Sequence, residues 1–539
     1  MSEDTETIKP LRVGILIEGA KAFSNWEIDL FCRLYNNTNI ALVCLVVNTA
    51  EPAQRSTPAL ARLLQSFENR FLCPPVQSVQ AVLPITIQST PRILESDLAA
   101  SDLVPDILLS HVPGPLSDQT RSLGCDVWEY HFNSGGARTA DAFGMREVLT
   151  KKPTTETAIL SRDGPGNVRV IGSIQTNTKF SAAFTAEYAK SMLPSLVENL
   201  LKRHAMRGHV RLSTVRSPAP AIQPLSTGEL LRYCLTVSIG AGRRAFRSIA
   251  KKLGGEPDKW SLLVGHGSIL EPSLTQMSEI PQPKNEYRAD PFLFERNGTK
   301  HVFFESWAAR GGTGKIHVGR LDGHEILDIE PIEFGDIHLS YPYVFAHEDD
   351  VFMIPETHER RRVEVWKCTQ FPTKWELYST ALEGLSPADT SLLQHNDEWW
   401  LLTTLSTSQI LDHCMELHAF QVDGPELKSV KSHALNPVVL DTVQGRNAGR
   451  PFVQSGKLIR PAQSSQHGLY GYDLRLMEIT QLAINQYEER EVRRIEPDQA
   501  KATTGCHHVD VDGDVIILDA RRSYGARLFG ARKIALRAV

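Results

Sequence analysis

The chain reads as a multidomain protein: a doubly wound α/β domain followed by an all-β, five-bladed propeller. Three observations predict this. Over residues 11–131, short continuous apolar runs alternate with helically spaced segments, the pattern of parallel strands buried on both faces. Over residues 289–519, five apolar hairpins recur at intervals of roughly fifty to sixty residues, the spacing of propeller blades. Between the two patterns, Ser217-Pro218-Ala219-Pro220-Ala221-Ile222-Gln223-Pro224 reads as an extended linker. The expected boundaries are 1–208 for the α/β domain, 209–255 for linker and bridging helix, and 256–539 for the propeller. A chain of 539 residues can bury a separate core in each domain.

The α/β elements follow in order. Leu11-Arg12-Val13-Gly14-Ile15-Leu16-Ile17 is a buried strand, residues 26–34 have helical spacing, and residues 40–47 form a second strand. Pro105-Asp106-Ile107-Leu108-Leu109-Ser110 and Asp126-Val127-Trp128-Glu129-Tyr130-His131 supply two more. The loop Glu18-Gly19-Ala20 carries no dinucleotide fingerprint. Residues 184–204 are helical and should kink or split at Pro194. Ser226-Thr227-Gly228-Glu229 can cap a helix running to about Leu253 before Gly254-Gly255. Its C-terminal half, residues 243–253, is basic and amphipathic. A helix bridging the domains is the first reading, and a foot on an anionic membrane surface the second.

Each propeller hairpin is two apolar runs around a polar turn. The first spans Ala289 to Glu305 and turns at Asn297-Gly298, the pair that tolerates both positive φ angles of a tight hairpin. The others run Tyr341 to Glu356, Asp389 to Leu402, Arg450 to Gln463, and His508 to Asp519. Residues 260–265 read as a strand that closes the last blade and removes the open edge. In a propeller the first strand of each blade starts at one mouth of the channel, and the antiparallel second strand returns there. Topology alone should therefore gather Asp290, Tyr341, Asp389, Arg450 and His508, with Glu305, Glu356, Gln463 and Asp519 beside them.

Composition limits the function classes. A net charge of -5 and 41% hydrophobic residues fit an ordinary globular protein and give no sign of a nucleic-acid partner. The acidic start, Met1-Ser2-Glu3-Asp4-Thr5-Glu6, lacks an apolar region, so no signal peptide is expected, nor any membrane span. Cysteines 32, 44, 73, 125, 234, 368, 414 and 506 are scattered without a Cys-x-x-Cys pair. They read as reduced thiols of a cytoplasmic protein, and no metal centre is expected.

The N-terminal order of elements, with the strand ending in Glu129-Tyr130-His131 and the loop Asn133-Ser134-Gly135-Gly136-Ala137-Arg138, resembles the folate-dependent formyltransferase N-terminal domain. The resemblance implies a catalytic His, here His131, assisted by an Asn and a downstream Asp. Glu129 stands in place of that Asn, and the region expected to carry the Asp reads Gly164-Pro165-Gly166-Asn167. A retained fold with lost or altered chemistry follows, so folate is not expected as a cofactor. Glu129 and His131 as a new acid/base pair is the minority reading.

In the propeller, Ala289-Asp290-Pro291-Phe292, His338-Leu339-Ser340-Tyr341-Pro342, Ile354-Pro355-Glu356-Thr357, Asp389, Arg446-Asn447-Ala448-Gly449-Arg450 and Arg460-Pro461-Ala462-Gln463 occur in order. They are similar to the N-terminal propeller of plant glucosamine inositolphosphorylceramide transferases, itself distantly similar to five-bladed glycoside hydrolases of the arabinanase and xylosidase type. The hydrolase side implies Asp290 as base, Tyr341 in the place of a helper carboxylate, and Asp389 or Glu356 as acid. Arg446, Arg450 and Arg460 read as binders of phosphate or carboxylate. His338, Gln463, His508, Asp519 and Glu305 complete the expected ligand contacts.

The sequence thus points to a carbohydrate-active protein of glycoconjugate or glycolipid synthesis. It is expected to bind or transfer a sugar or sugar phosphate at the propeller mouth, with a nucleotide sugar as the donor that transfer would need. The alternatives are a non-catalytic glycan-binding scaffold and a folate-dependent N-formyltransferase acting on an amino sugar. Peripheral contact with the inner face of a membrane goes with the second reading of residues 243–253. The identity of the sugar and the oligomeric state are left open.

Overall fold

The computed structural model describes residues 9–19, 23–48, 59–73, 88–112, 116–132, 143–163, 167–207, 225–252, 258–270, 277–308, 312–408, 410, 412–497, 503–523 and 536–538. The linker at 217–224, the loop at 133–138, Gly164 to Gly166 and Gly254-Gly255 lie outside them. The backbone divides into two compact units, residues 1–240 with 407–411 and residues 241–406 with 412–539.

The first unit is built on a seven-stranded sheet. Its strands are β1 (Leu11–Glu18), β2 (Ile40–Asn48), β3 (Arg92–Leu94), β4 (Ile107–Ser110), β5 (Asp126–Phe132), β6 (Thr154–Asp163) and β7 (Asn167–Asn177), in the order 3-2-1-4-5-6-7. Strands β1 to β5 are parallel. Val13, Ile15, Leu45, Val46, Leu108 and Leu109 are fully or almost fully buried, which is why these strands read as unbroken apolar runs. The expected parallel pattern stops at β5, where β6 and β7 continue the sheet antiparallel as a hairpin.

Helix Asn25–Tyr35 starts where Glu27 Oε2 accepts the Ser24 backbone N–H at 2.7 Å. The segment expected to split at Pro194 forms two helices, Ala182–Ser191 and Leu193–Arg207. Pro194 sits in the first turn of the second, where a missing N–H costs nothing. Helix Thr227–Lys252 begins with a reciprocal cap, the Ser226 N–H on Glu229 Oε2 at 2.9 Å and the Glu229 N–H on Ser226 Oγ at 3.3 Å.

The second unit contains five antiparallel sheets, the blades of the propeller. Their inner hairpins are Glu286–Arg296 with Thr299–Ala308, Ser340–His347 with Asp350–Glu356, Ala388–His395 with Glu398–Leu405, Phe452–Gln454 with Lys457–Gln463, and Val509–Asp512 with Val515–Ser523. The first turns at Asn297 and Gly298, whose φ angles are 52° and 73°. Strand Asp258–His266 pairs with Val515–Ser523, from Val515 opposite His266 to Ser523 opposite Asp258. An N-terminal strand of the unit thus closes its last blade, as the sequence predicts.

Blade four holds an ion pair whose cation is fully buried. Arg460 is 0% exposed and forks onto Glu489 at 3.0 and 2.7 Å, with Asn447 Oδ1 at 3.3 Å and the Gln444 carbonyl at 2.8 Å accepting its other protons. Removing one partner of such a pair strands a buried charge. Arg460→Met should therefore destabilise the propeller by about 3–5 kcal/mol. Denaturant unfolding of the full chain measures this, and Arg460→Met/Glu489→Leu should recover most of the loss.

Candidate functional site

Three blades open with the same backbone device. Asp290, Tyr341 and Asp389 have φ of 49°, 48° and 48°, in the left-handed region that side chains rarely adopt. Each starts a two-residue bulge. The pairing skips from Ala289 to Phe292, from Ser340 to Tyr343, and from Ala388 to Ser391. The bulge turns the amide of the left-handed residue toward a neighbouring carboxylate. The Asp290 N–H donates to Asp519 Oδ2 at 3.2 Å, the Tyr341 N–H to Asp290 Oδ2 at 3.2 Å, and the Asp389 N–H to Glu356 Oε2 at 3.1 Å. Each bond ties one blade to its neighbour.

These contacts bring Asp290, Asp519, Glu356 and Asp389 together at one end of the inner strands. Glu305, paired with Ala289 across the first hairpin, feels the charge of all four. Burial, then those like charges, pushes its carboxyl well above the usual range. Burial and these charges favour the protonated form of Glu305, and His338 Nε2 lies 3.5 Å from Oε1. Burial holds His338 neutral.

Arg446 is the cation at the centre of this group. It forks onto Asp389 at 2.5 and 3.2 Å, reaches Glu356 at 3.4 Å, and donates to the His413 carbonyl at 3.1 Å. Burial raises the Asp389 carboxyl and Arg446 opposes it. The two-pronged contact needs both oxygens as acceptors, so the pair is ionised. Gln463 Nε2 donates to Asp389 Oδ2 at 3.1 Å. Glu356 is held well below its ordinary pKa by the His358 hydrogen bond at 3.1 Å and by Arg446, against the cost of burial.

Asp290 faces two histidines. His507 lies between carboxylates, with Nδ1 2.6 Å from Asp519 Oδ2 and Nε2 3.7 Å from Asp290 Oδ1. Asp519 also accepts the backbone N–H groups of His507 and His508 at 2.9 and 3.1 Å, and its pKa is depressed despite burial. Asp519 and Asp290 outweigh the desolvation of His507 and raise its pKa. Burial lowers His508 to about 3, so it is neutral, with Nδ1 3.6 Å from Asp290 Oδ1. Burial pushes Asp290 up to about 6, opposed by His507 and reinforced by Asp519 and Glu356. Atoms of Asp290, His507 and Asp519 lie within 4.8 Å of one another. His507 Nδ1, though close to Asp519, makes no hydrogen bond among the described residues.

Not every residue expected at the mouth presents itself there. Tyr341 turns inward, its hydroxyl donating to the Gly449 carbonyl at 2.9 Å and lying 3.0 Å from Ser391 Oγ, so it braces blade two against blades three and four. Arg450 forks onto Asp510 at 3.1 and 3.3 Å. With Arg460 on Glu489, all three arginines already have carboxylate partners. His131 belongs to the other unit. Its buried Nε2 is 3.7 Å from Glu129 Oε2 and has no hydrogen bond among the described residues. Glu129 is itself paired with Arg162 at 3.3 Å.

The sequence marks Tyr470-Gly471 as a motif of the propeller resemblance without a site role, and gives none to His507, His358 or His413. The His507-His508 doublet at the head of the last hairpin was the available signal. Tyr470 is 39% exposed, under the Arg446 guanidinium and edge-on to His507. It offers an aromatic surface beside the acids.

Fold and site define a five-bladed propeller with a buried, carboxylate-rich mouth. Residues 269–513 match the family model described as glucosamine inositolphosphorylceramide transferase 1, N-terminal. The chain is 31% identical over 271 residues to glucosamine inositolphosphorylceramide transferase 1 of Oryza sativa subsp. japonica, covering 47% of this chain and 36% of the relative. It is 28% identical over 239 residues to the Arabidopsis thaliana protein of that name, covering 43% and 31%. The chain thus spans about a third of the length of these relatives. Matches among solved structures include an alpha-L-arabinofuranosidase from Lactobacillus brevis, with 11% identity, a TM-score of 0.33, and coverage of 47% of this chain and 90% of that one. An exo-beta-1,3-galactanase from Phanerochaete chrysosporium has 10% identity, a TM-score of 0.30, and coverage of 47% and 62%.

The folded pKa of Asp290 lies above its ordinary 3.8, so the folded state holds this proton more tightly than the unfolded chain. The associated stability is complete below about pH 4 and is lost as pH rises through about 6. Asp290→Asn cannot lose it. The variant should gain on the wild type across that window, by on the order of 2–3 kcal/mol, in denaturant unfolding at a series of pH values.

Proposed function

We propose that the propeller mouth binds a sugar and that the protein works in sugar transfer during glycolipid synthesis. The carrying observation is the gathering in one buried cluster of Asp290, a carboxyl pushed up to about 6, and Glu305, a carboxyl pushed well above its usual range, on paired strands of the first hairpin. Asp290 is ionised at neutral pH yet basic enough to take a hydroxyl proton, while Glu305 can donate one to a departing oxygen. Asp389 and Glu356, engaged by Arg446, are positioning groups in this reading. Tyr470 supplies a face for the sugar ring. The name shared by the curated relatives supports the transfer reading, with the activity of the whole relative carried over as a proposal.

The charge balance also selects among sugars. Arg446 and His507 face Asp290, Glu356, Asp389 and Asp519, and Arg450 and Arg460 are committed elsewhere. A mouth of this sign favours an amino sugar over a sugar phosphate. Calorimetry should give tighter binding for glucosamine than for glucose 6-phosphate. Asp290→Asn should weaken glucosamine about tenfold or more while the chain stays folded. Tighter binding of the phosphate, or no change in Asp290→Asn, would overturn the assignment.

A non-catalytic glycan-binding role is the second reading, favoured by the many internal bonds among these acids. Turnover that disappears in Glu305→Gln with sugar affinity retained separates catalysis from binding. For the first unit, we read a doubly wound, formyltransferase-like scaffold without formyl transfer, because Glu129 replaces the expected carboxamide and is tied to Arg162. Formyl product from a folate donor, lost in His131→Ala, would contradict this.

A further inference from the structure

Helix Thr227–Lys252 has two apolar faces. Leu230, Tyr233 and Val237 are buried in a core with Ala61, Met145 and Ala182. On the other side Leu231, Leu235, Ile239, Phe246 and Ile249 are exposed, Leu235 at 62% and Phe246 at 72%. At 3.6 residues per turn these five fall within about 80° of arc, roughly opposite the buried face. A helix held only by its inner face would be polar outward, and this one is not.

The neighbouring helix Ala59–Phe71 repeats the feature. It is joined to the first by the Tyr233 hydroxyl, which donates to the buried Glu68 at 2.5 Å. Its Leu63, Phe67 and Phe71 are exposed, Leu63 at 69%, and the two phenyl rings touch with centroids 4.9 Å apart.

Charge identifies the occupant of the outer face. Within Thr227–Lys252 the one acidic residue is Glu229, in the first turn, whereas Arg232, Arg243, Arg244, Arg247, Lys251 and Lys252 are basic. Two copies of so basic a helix repel when laid together, and an anionic surface attracts it. No helix among the described residues is long and apolar enough to cross a membrane.

We propose that the outer face of helix Thr227–Lys252 docks on an anionic lipid bilayer. The helix lies along the surface, with Leu231, Leu235, Ile239, Phe246 and Ile249 at the acyl boundary and Arg232 and Arg243, which flank that arc, at the headgroups. This goes beyond the sugar assignment and does not rest on it.

Co-sedimentation of the full chain with phosphatidylcholine vesicles, with and without phosphatidylserine, tests the proposal. The chain should partition onto the phosphatidylserine vesicles and come off as salt is raised. Leu235→Glu and Phe246→Glu should each lower partitioning about tenfold. Arg243→Glu should lower it on phosphatidylserine vesicles. Because these positions are exposed, thermal unfolding and glucosamine titration of the variants should match wild type, which separates failure of this proposal from failure of the sugar assignment. No binding to phosphatidylserine vesicles, equal binding by wild type and Leu235→Glu, or a dimer in analytical ultracentrifugation that Leu235→Glu dissociates would overturn it.

Discussion

At Asp290, Tyr341 and Asp389 the backbone is held near φ +48°, a conformation that costs on the order of 1–3 kcal/mol for a residue with a side chain. What holds it is a hydrogen bond from each strained residue's own amide to a carboxylate: Asp519 for the first, Asp290 for the second and Glu356 for the third. The acids of the mouth therefore have a structural duty before any chemical one. They cannot be moved without releasing a bulge, and the bulges keep their backbone amides turned toward the mouth. Gly449 shows the same crowding in blade four: at its φ of 139° an added Cβ would lie 1.8 Å from the Val509 carbonyl oxygen.

Gathering so many acids in a buried space forces them to differ. Asp519 takes three backbone N–H groups and a histidine and stays ionised. Glu356 does so with His358 and Arg446. Asp389 is locked by Arg446. Among the described residues Glu305 has His338 at 3.5 Å, and burial with the surrounding acids raises its pKa, while Asp290 lies between the extremes because His507 offsets part of its burial. The division between acid and base follows from how many donors each carboxyl receives, which is the usual origin of unequal carboxyl pairs in active sites.

Much of this is legible in the sequence, for identifiable reasons. Turn pairs such as Asn297-Gly298 mark the hairpins, and hairpin topology returns the ends of both strands to one mouth. That rule places Asp290, Glu305, Glu356 and Asp389 near one another with no knowledge of their contacts. It fails where a partner is set by three-dimensional packing. Arg460 reaches across the intervening strand of its own blade to Glu489, and Arg450 reaches across to Asp510 in the next blade, so neither is available to a ligand. The left-handed turn at Tyr341 has no signal in Tyr-Pro. In the first unit the apolar runs announce the parallel strands, while the β6–β7 hairpin, polar and threonine-rich, does not announce its antiparallel pairing.

The central claim is that a sugar sits among these acids. A crystal structure of the full chain with glucosamine at saturating concentration tests it most directly. The account predicts the ring against Tyr470, with its amino group or a hydroxyl within hydrogen-bond distance of Asp290 and Glu305. Glucosamine bound elsewhere, with the carboxylate cluster left untouched, would contradict it.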